Sequence, residues 1–291
     1  MSTLSAFHGA AEARIAALQR LAVHIAAGHL TVGPMAWDGE KGSLVGCLID
    51  SNDPQAWEDR LGLAKWLAHA ADAVTGSLAP ALVLQKATEL LNAIPPGQDT
   101  GPLGSLLIGR LLTELAAAQQ APLPPQLQAA LDQVNALHQR SLAGNSIEAA
   151  TWKAVRQAAL AATDTLDQET EPRLHAIGAA IEAAAWDPQR SALAVADTLR
   201  QWLALERLKA DSEFGWTEHD DANIRRLLAR MHNEFKLPHP DEPRDVFLLL
   251  EEHHPDDASR LRAYMKFGRD HSTACAARAA DMLTRLLAAQ S

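Results

Sequence analysis

Cysteine is nearly missing from this chain: Cys47 and Cys275 are the two in 291 residues, and they stand far apart. That excludes a disulfide framework and a cysteine-based zinc site, and it fits a reducing compartment. Aromatic residues make up 4% of the chain, with one tyrosine, and the strand-favouring residues are scarce. Alanine and leucine, the strongest apolar helix formers, supply most of the 47% apolar content, so composition predicts an all-α protein. A long uninterrupted apolar run is also missing, since even Leu103 to Leu115 is broken by Arg110 and Glu114. Met1 to Arg20 lacks a basic start and carries Glu12 within its apolar pattern, unlike a secretory signal. The expectation is a soluble, cytoplasmic protein that does not engage a membrane.

Basic clusters are lacking too. The formal charge is −10, from 36 acidic and 26 basic residues. Acids outnumber bases 11 to 7 in residues 1–120, 10 to 8 in 121–210 and 15 to 11 in 211–291. No stretch offers the positive stripe that phosphate backbones require, so nucleic acid is not an expected partner.

What is present is helical periodicity. Ala11, Ile15, Leu18, Ala22 and Ile25 recur at steps of three and four, predicting a first helix that ends near Gly28. Residues 31–51 interrupt the pattern with Gly33-Pro34, Gly39, Gly42 and Gly46, and Ser43 to Ile49 reads as a buried loop or short strand. Asp53-Pro54 has the form of a helix cap followed by proline at the first helical position, which sets Trp57 and Leu61 on one buried face. Trp152, Val155, Ala159, Ala162 and Leu166 keep the spacing of a packed seam, and Pro172 and Asp187-Pro188 mark further helix starts. The pattern predicts a multi-helix bundle of about ten helices with one irregular glycine-rich segment. Three regions emerge: residues 1–121 with the loop at 31–51, an alanine- and tryptophan-rich region 126–210, and an acidic, histidine-rich region 211–291. They are also compatible with one continuous domain.

Four groups of residues could carry chemistry. Gly39-Glu40-Lys41-Gly42-Ser43 has the composition of a phosphate loop in the wrong order, because Lys41 precedes the second glycine and an apolar run follows; a tight turn accounts for it. Cys47 sits among Leu44, Val45, Leu48 and Ile49, an apolar setting that raises a thiol's pKa and points to burial even with His24 or His29 nearby. His219, Asp220, His253 and His254, with His232, His239, Asp241 and other acids around them, are ligand types for zinc, manganese or iron. Their spacing matches no metal signature, and helix caps and solvated acidic faces explain most of them. The seven tryptophans fill the space that alanines leave between helices, or else line a ligand groove.

The stretch Trp37 to Asp99 resembles an uncharacterised bacterial and phage-borne family of hypothetical proteins. The resemblance is carried by Trp37-Asp38-Gly39, Lys41-Gly42, Val45-Gly46-Cys47, Trp57-Glu58 and Leu61-Gly62-Leu63. It continues through Leu67-Ala68, Asp72, Leu78, Ala93-Ile94-Pro95-Pro96-Gly97 and Asp99. Trp152 and Ala184-Ala185-Trp186 are similar to that family's alanine- and tryptophan-rich tail. Ser43, Asp50 and Ala64 stand where the family usually has cysteine, histidine and proline. The resemblance brings no activity with it. Together with the lack of a catalytic signature, the phage link makes an accessory or anti-defence factor of a phage or mobile element an expectation.

The resulting expectation is a non-catalytic helical protein that binds a protein partner through Trp37, Asp38 and Lys41, without a cofactor. Two alternatives stand beside it: a metal-dependent hydrolase using His219, Asp220, His253 and His254, and a small-molecule sensor or sponge with a tryptophan-lined cleft.

Overall fold

The computed structural model describes residues 4–31, 33–76, 78–118, 121–237 and 245–289. Among them are thirteen α-helices and no strand. The first seven are α1 (Glu12–Ala26), α2 (Leu44–Ile49), α3 (Pro54–Leu61), α4 (Lys65–Thr75), α5 (Pro80–Asn92), α6 (Leu103–Ala117) and α7 (Pro125–Leu142). The rest are α8 (Ala149–Thr163), α9 (Pro172–Ala184), α10 (Ala194–Phe214), α11 (Glu218–Met231), α12 (Val246–His253) and α13 (Pro255–Ala288). None of them is long and apolar enough to cross a membrane. The all-α expectation holds, while the helix count exceeds the expected ten or so.

One of the added helices, α2, replaces the expected loop or strand. The Ser43 hydroxyl accepts the Gly46 N–H at 3.2 Å and starts the helix. All six residues of α2 are buried, so no polar face exists to reveal a helical period in the sequence. Gly46 is required there, because a Cβ would lie 2.1 Å from the Ala36 carbonyl oxygen. The first helix also differs from expectation. Ala17 and Leu21 are its buried residues, whereas Ile15 is 50% exposed. Arg20 and His24, one turn apart on this helix, both meet Asp50 at the end of α2.

The Asp53 carboxylate accepts the Gln55 N–H at 2.8 Å, with Pro54 at the first helical position, and α3 then buries Trp57 and Leu61 as its spacing predicts. Gly62 ends the helix in the left-handed conformation (φ 63°) and passes so close to Ser5 that a side chain would collide with its carbonyl. Further along, α6 packs on α7, α7 on α8 and α8 on α9. The predicted seam of α8 is present, with Trp152, Ala159 and Ala162 buried and Val155 and Leu166 partly so.

Asp187-Pro188 does not start a long helix. Asp187 instead caps a single turn, accepting the Gln189 N–H on its carboxylate (3.0 Å) and the Ser191 N–H on its carbonyl (2.8 Å). Helix α10 begins only at Ala194. The intervening turn shapes the cleft described below.

The chain forms two compact units, residues 1–205 with 275–291, and residues 206–274. The first contains α1 to α9 whole. The second is built on Ile224, Leu227, Met231, Leu249, Leu250, Ala258 and Leu261, with Trp216, Phe235 and Tyr264 packed against them. His239 and Asp241, and most of the proline-bearing loop expected at 237–244, lie outside the described residues.

Candidate functional site

Trp37, Asp38 and Lys41 share one tight turn. Trp37 bridges to Gly42, and the Asp38 carboxylate accepts the N–H groups of Lys41 (2.7 Å) and Glu40 (3.0 Å). Those two bonds hold the Asp38 carboxyl below its usual range, Lys41 contributing most. Trp37 is half-buried, edge-on to the His24 ring at 5.1 Å. His24 in turn meets Asp50 at 2.9 Å, and His29 meets Glu40 at 3.2 Å. Of the three residues expected to bind a partner, Trp37 and Asp38 have internal roles, and Lys41 is exposed.

The same loop is anchored from below by Asp72 of α4, a residue noticed in the sequence only as part of a resemblance. Its buried carboxylate accepts the Ser43 hydroxyl (2.8 Å) and the N–H groups of Met35 (2.6 Å) and Val45 (2.9 Å). Burial pushes its pKa up to about 6, against the three hydrogen bonds that favour the charged form. Met35 holds a left-handed backbone (φ 43°), strain of about 1–3 kcal/mol that its bond to Asp72 helps to offset. Asp72→Asn places an amide NH₂ against at least one of these donors. The expected cost is about 1–3 kcal/mol, with lost hydrogen-exchange protection at Met35 or Val45, whichever faces the NH₂. Unchanged stability and protection would show that the loop is held by other contacts.

Cys47 is buried, and its thiol donates to the Gly42 carbonyl at 3.4 Å. Burial above all, opposed by that bond and aided by the Asp72 and Asp50 charges, pushes it up to about 11, so no thiolate is available near neutral pH.

The four expected metal ligands all lie in residues 206–274, and no three of them bring ligand atoms within 4.8 Å of one another. Asp220 completes a capping box with Thr217 and receives two bonds from Arg260, both 2.8 Å. Arg260 above all, then Thr217, holds its carboxyl far below the usual range. His219 is exposed at the start of α11, His253 stacks on Phe235 at 4.4 Å, and His254 stands 4.0 Å from Asp257. The carboxylate is therefore committed to capping and to an ion pair.

A cleft that the sequence did not single out lies between α8 and the Ala185–Ser191 turn. Its volume is about 310 Å³, and its lining is mostly apolar. Ala149, Trp152, Lys153 and Arg156 face it from α8, at the spacing of one helix face. Trp186 forms the opposite wall and is 39% exposed, so the expectation that the tryptophans are core fillers fails at this position. The Arg156 guanidinium lies 4.1 Å from the centroid of the Trp186 ring, a cation–π contact. Arg190 and Lys153 complete a cationic rim. The floor is supported from behind by His138, whose ring meets Trp152 edge-on at 5.0 Å. His138 is buried and bonds the Ala184 carbonyl (2.8 Å) and the Ser105 hydroxyl (3.2 Å), tying α7 to α9 and α6.

A larger cavity of about 420 Å³ borders Trp66, ringed by the opposed charges of Glu58, Lys65, Asp99 and Arg190. Its polar groups already serve the fold: the Trp66 N–H bonds the Thr100 carbonyl, and Asp99 accepts the Gly101 N–H. The smaller cleft combines exposed aromatic surface with an excess of cations, Lys153, Arg156 and Arg190 against Asp187, which makes it the stronger candidate. The signal for it was present as Lys153 and Arg156 beside the α8 seam, and Trp186 just before Asp187-Pro188. Compared with known families, curated proteins and solved structures, the chain gives no match.

Proposed function

We propose that this protein is a non-catalytic binding protein that holds a small molecule with an apolar body in the Trp152–Trp186 cleft. The observation that carries the reading is the pairing of a mostly apolar cleft of about 310 Å³ with a half-open tryptophan wall. That size is at the lower end of small-molecule sites, which span about 300–1,000 Å³. The structural commitments of Cys47 and Asp220 support binding over catalysis. Titration with 2-naphthoate, followed by tryptophan fluorescence and thermal shift, tests it. The parent is expected to bind, and Trp186→Ala to lose about tenfold or more in affinity while keeping its melting temperature. No response from the parent, or equal binding by the variant, would overturn the assignment.

A protein partner is favoured by a different observation: Phe247 and Leu248 are neighbours on α12 and are 51% and 65% exposed. Copurification from the native host tests this second reading. A protein retained by the parent and lost from a Phe247→Ser, Leu248→Ser double variant supports it, and no retained protein counts against it.

A further inference from the structure

We infer that the cleft selects an aromatic carboxylate, with its flat body on Trp186 and its anionic head received by Lys153 and Arg156. The inference rests on the binding reading above and adds the chemistry of the ligand. Three cations, Lys153, Arg156 and Arg190, line the cleft against one acid, Asp187, in a chain whose overall charge is −10. This local reversal of sign attracts an anion that the rest of the surface repels.

The acid does little to cancel it. The Asp187 carboxylate accepts the Gln189 N–H at 3.0 Å and pairs with Arg190 at 3.5 Å, so Arg190 is already compensated. Arg156 pairs with Glu182 at 3.8 Å, both side chains being a third exposed, and Lys153 has no ion-pair partner among the described residues. Lys153 and Arg156 are three residues apart on α8, so one head group can meet both.

The body of the ligand follows from the walls. Trp186 offers an exposed ring, already topped by Arg156, onto which a second flat ring can stack. Trp152 lines the cleft while buried, and its indole N–H has no acceptor. A nucleotide fits less well. Once its phosphate has taken the cations, its sugar hydroxyls and base edges would have only the side chains of Ser191 and Asp187 in the lining to pair with.

The test compares 2-naphthoate with uncharged 2-naphthamide and with adenosine monophosphate on the full chain, by calorimetry. The carboxylate is expected to bind about tenfold tighter than the amide, with that preference falling as salt is raised. Lys153→Gln, an exposed position on α8, should weaken the carboxylate about three- to tenfold and leave the amide unchanged. Equal affinity for acid and amide would overturn the inference and leave the binding reading standing. Tighter binding of the nucleotide would overturn the assignment of the body. Failure of all three probes to bind would remove the binding reading itself.

Discussion

Trp57→Ala is expected to lower the unfolding free energy by about 3–5 kcal/mol, the range for deleting a large core aromatic. Trp57 is fully buried on α3, and α3 packs on α1, α2 and α4, so no single neighbour can collapse into the space the indole leaves. The Asp53-Pro54 cap fixes the start of α3 and hence the direction in which position 57 points. The indole N–H has no acceptor, so part of its burial is a cost rather than a gain. Trp57→Phe removes that donor and keeps most of the apolar volume, so its loss should be much smaller than that of the alanine variant. Urea denaturation of both variants checks the pair. An alanine variant within about 1 kcal/mol of the parent would show that the site relaxes around the hole.

The second large effect concerns acid. His138 is buried, and burial pushes its pKa down to about 4, because a charged ring would be poorly solvated there; the bond to the Ala184 carbonyl opposes the shift without cancelling it. The neutral ring donates Nε2–H to Ala184 and accepts the Ser105 hydroxyl on Nδ1. In the unfolded chain the same ring titrates near 6.5. The folded pKa is the lower one, so stability present above 6.5 is lost as pH falls toward 4, by about 3 kcal/mol at pH 4. Asp72 acts in the opposite sense. Its folded pKa of about 6 lies above the unfolded 3.8, so its penalty at pH 7 is relieved as pH falls, by about 2 kcal/mol.

The two contributions largely cancel between pH 7 and 4, and single variants expose them. His138→Gln should retain about 3 kcal/mol more stability than the parent over that fall in pH, whatever its starting value. Asp72→Asn should lose stability more steeply than the parent over the same range. Chemical denaturation at a series of pH values measures both slopes, and parallel curves for parent and His138→Gln would show that the ring is not held neutral. Because His138 also backs Trp152, the glutamine variant should weaken 2-naphthoate binding as well.

Much of the fold was legible because its causes are local. The Asp53-Pro54 cap and the α8 seam each follow from residues within a few turns: the cap forms, and Trp152, Ala159 and Ala162 are buried with Val155 and Leu166 partly so. The failures share a different cause. Helix α2 is buried on every side, so its six residues carry no alternation of polar and apolar positions. Helix α1 buries Ala17 and Leu21 and leaves Ile15 exposed, a face set by its packing on α2 and α5. Asp187-Pro188 has every local mark of a helix start, yet the turn it caps ends within four residues.

The candidate site divides along the same line. Composition and periodicity by themselves determined an all-helical chain, its capped starts and most of its buried seams, because helix propensity, capping and amphipathic spacing act over three or four residues. Only the tertiary structure decided that Asp72 would gather Met35, Ser43 and Val45, and that Trp186 would stand open across from Lys153 and Arg156. Those meetings join residues about thirty positions apart, and they depend on how whole helices pack rather than on what any one of them prefers.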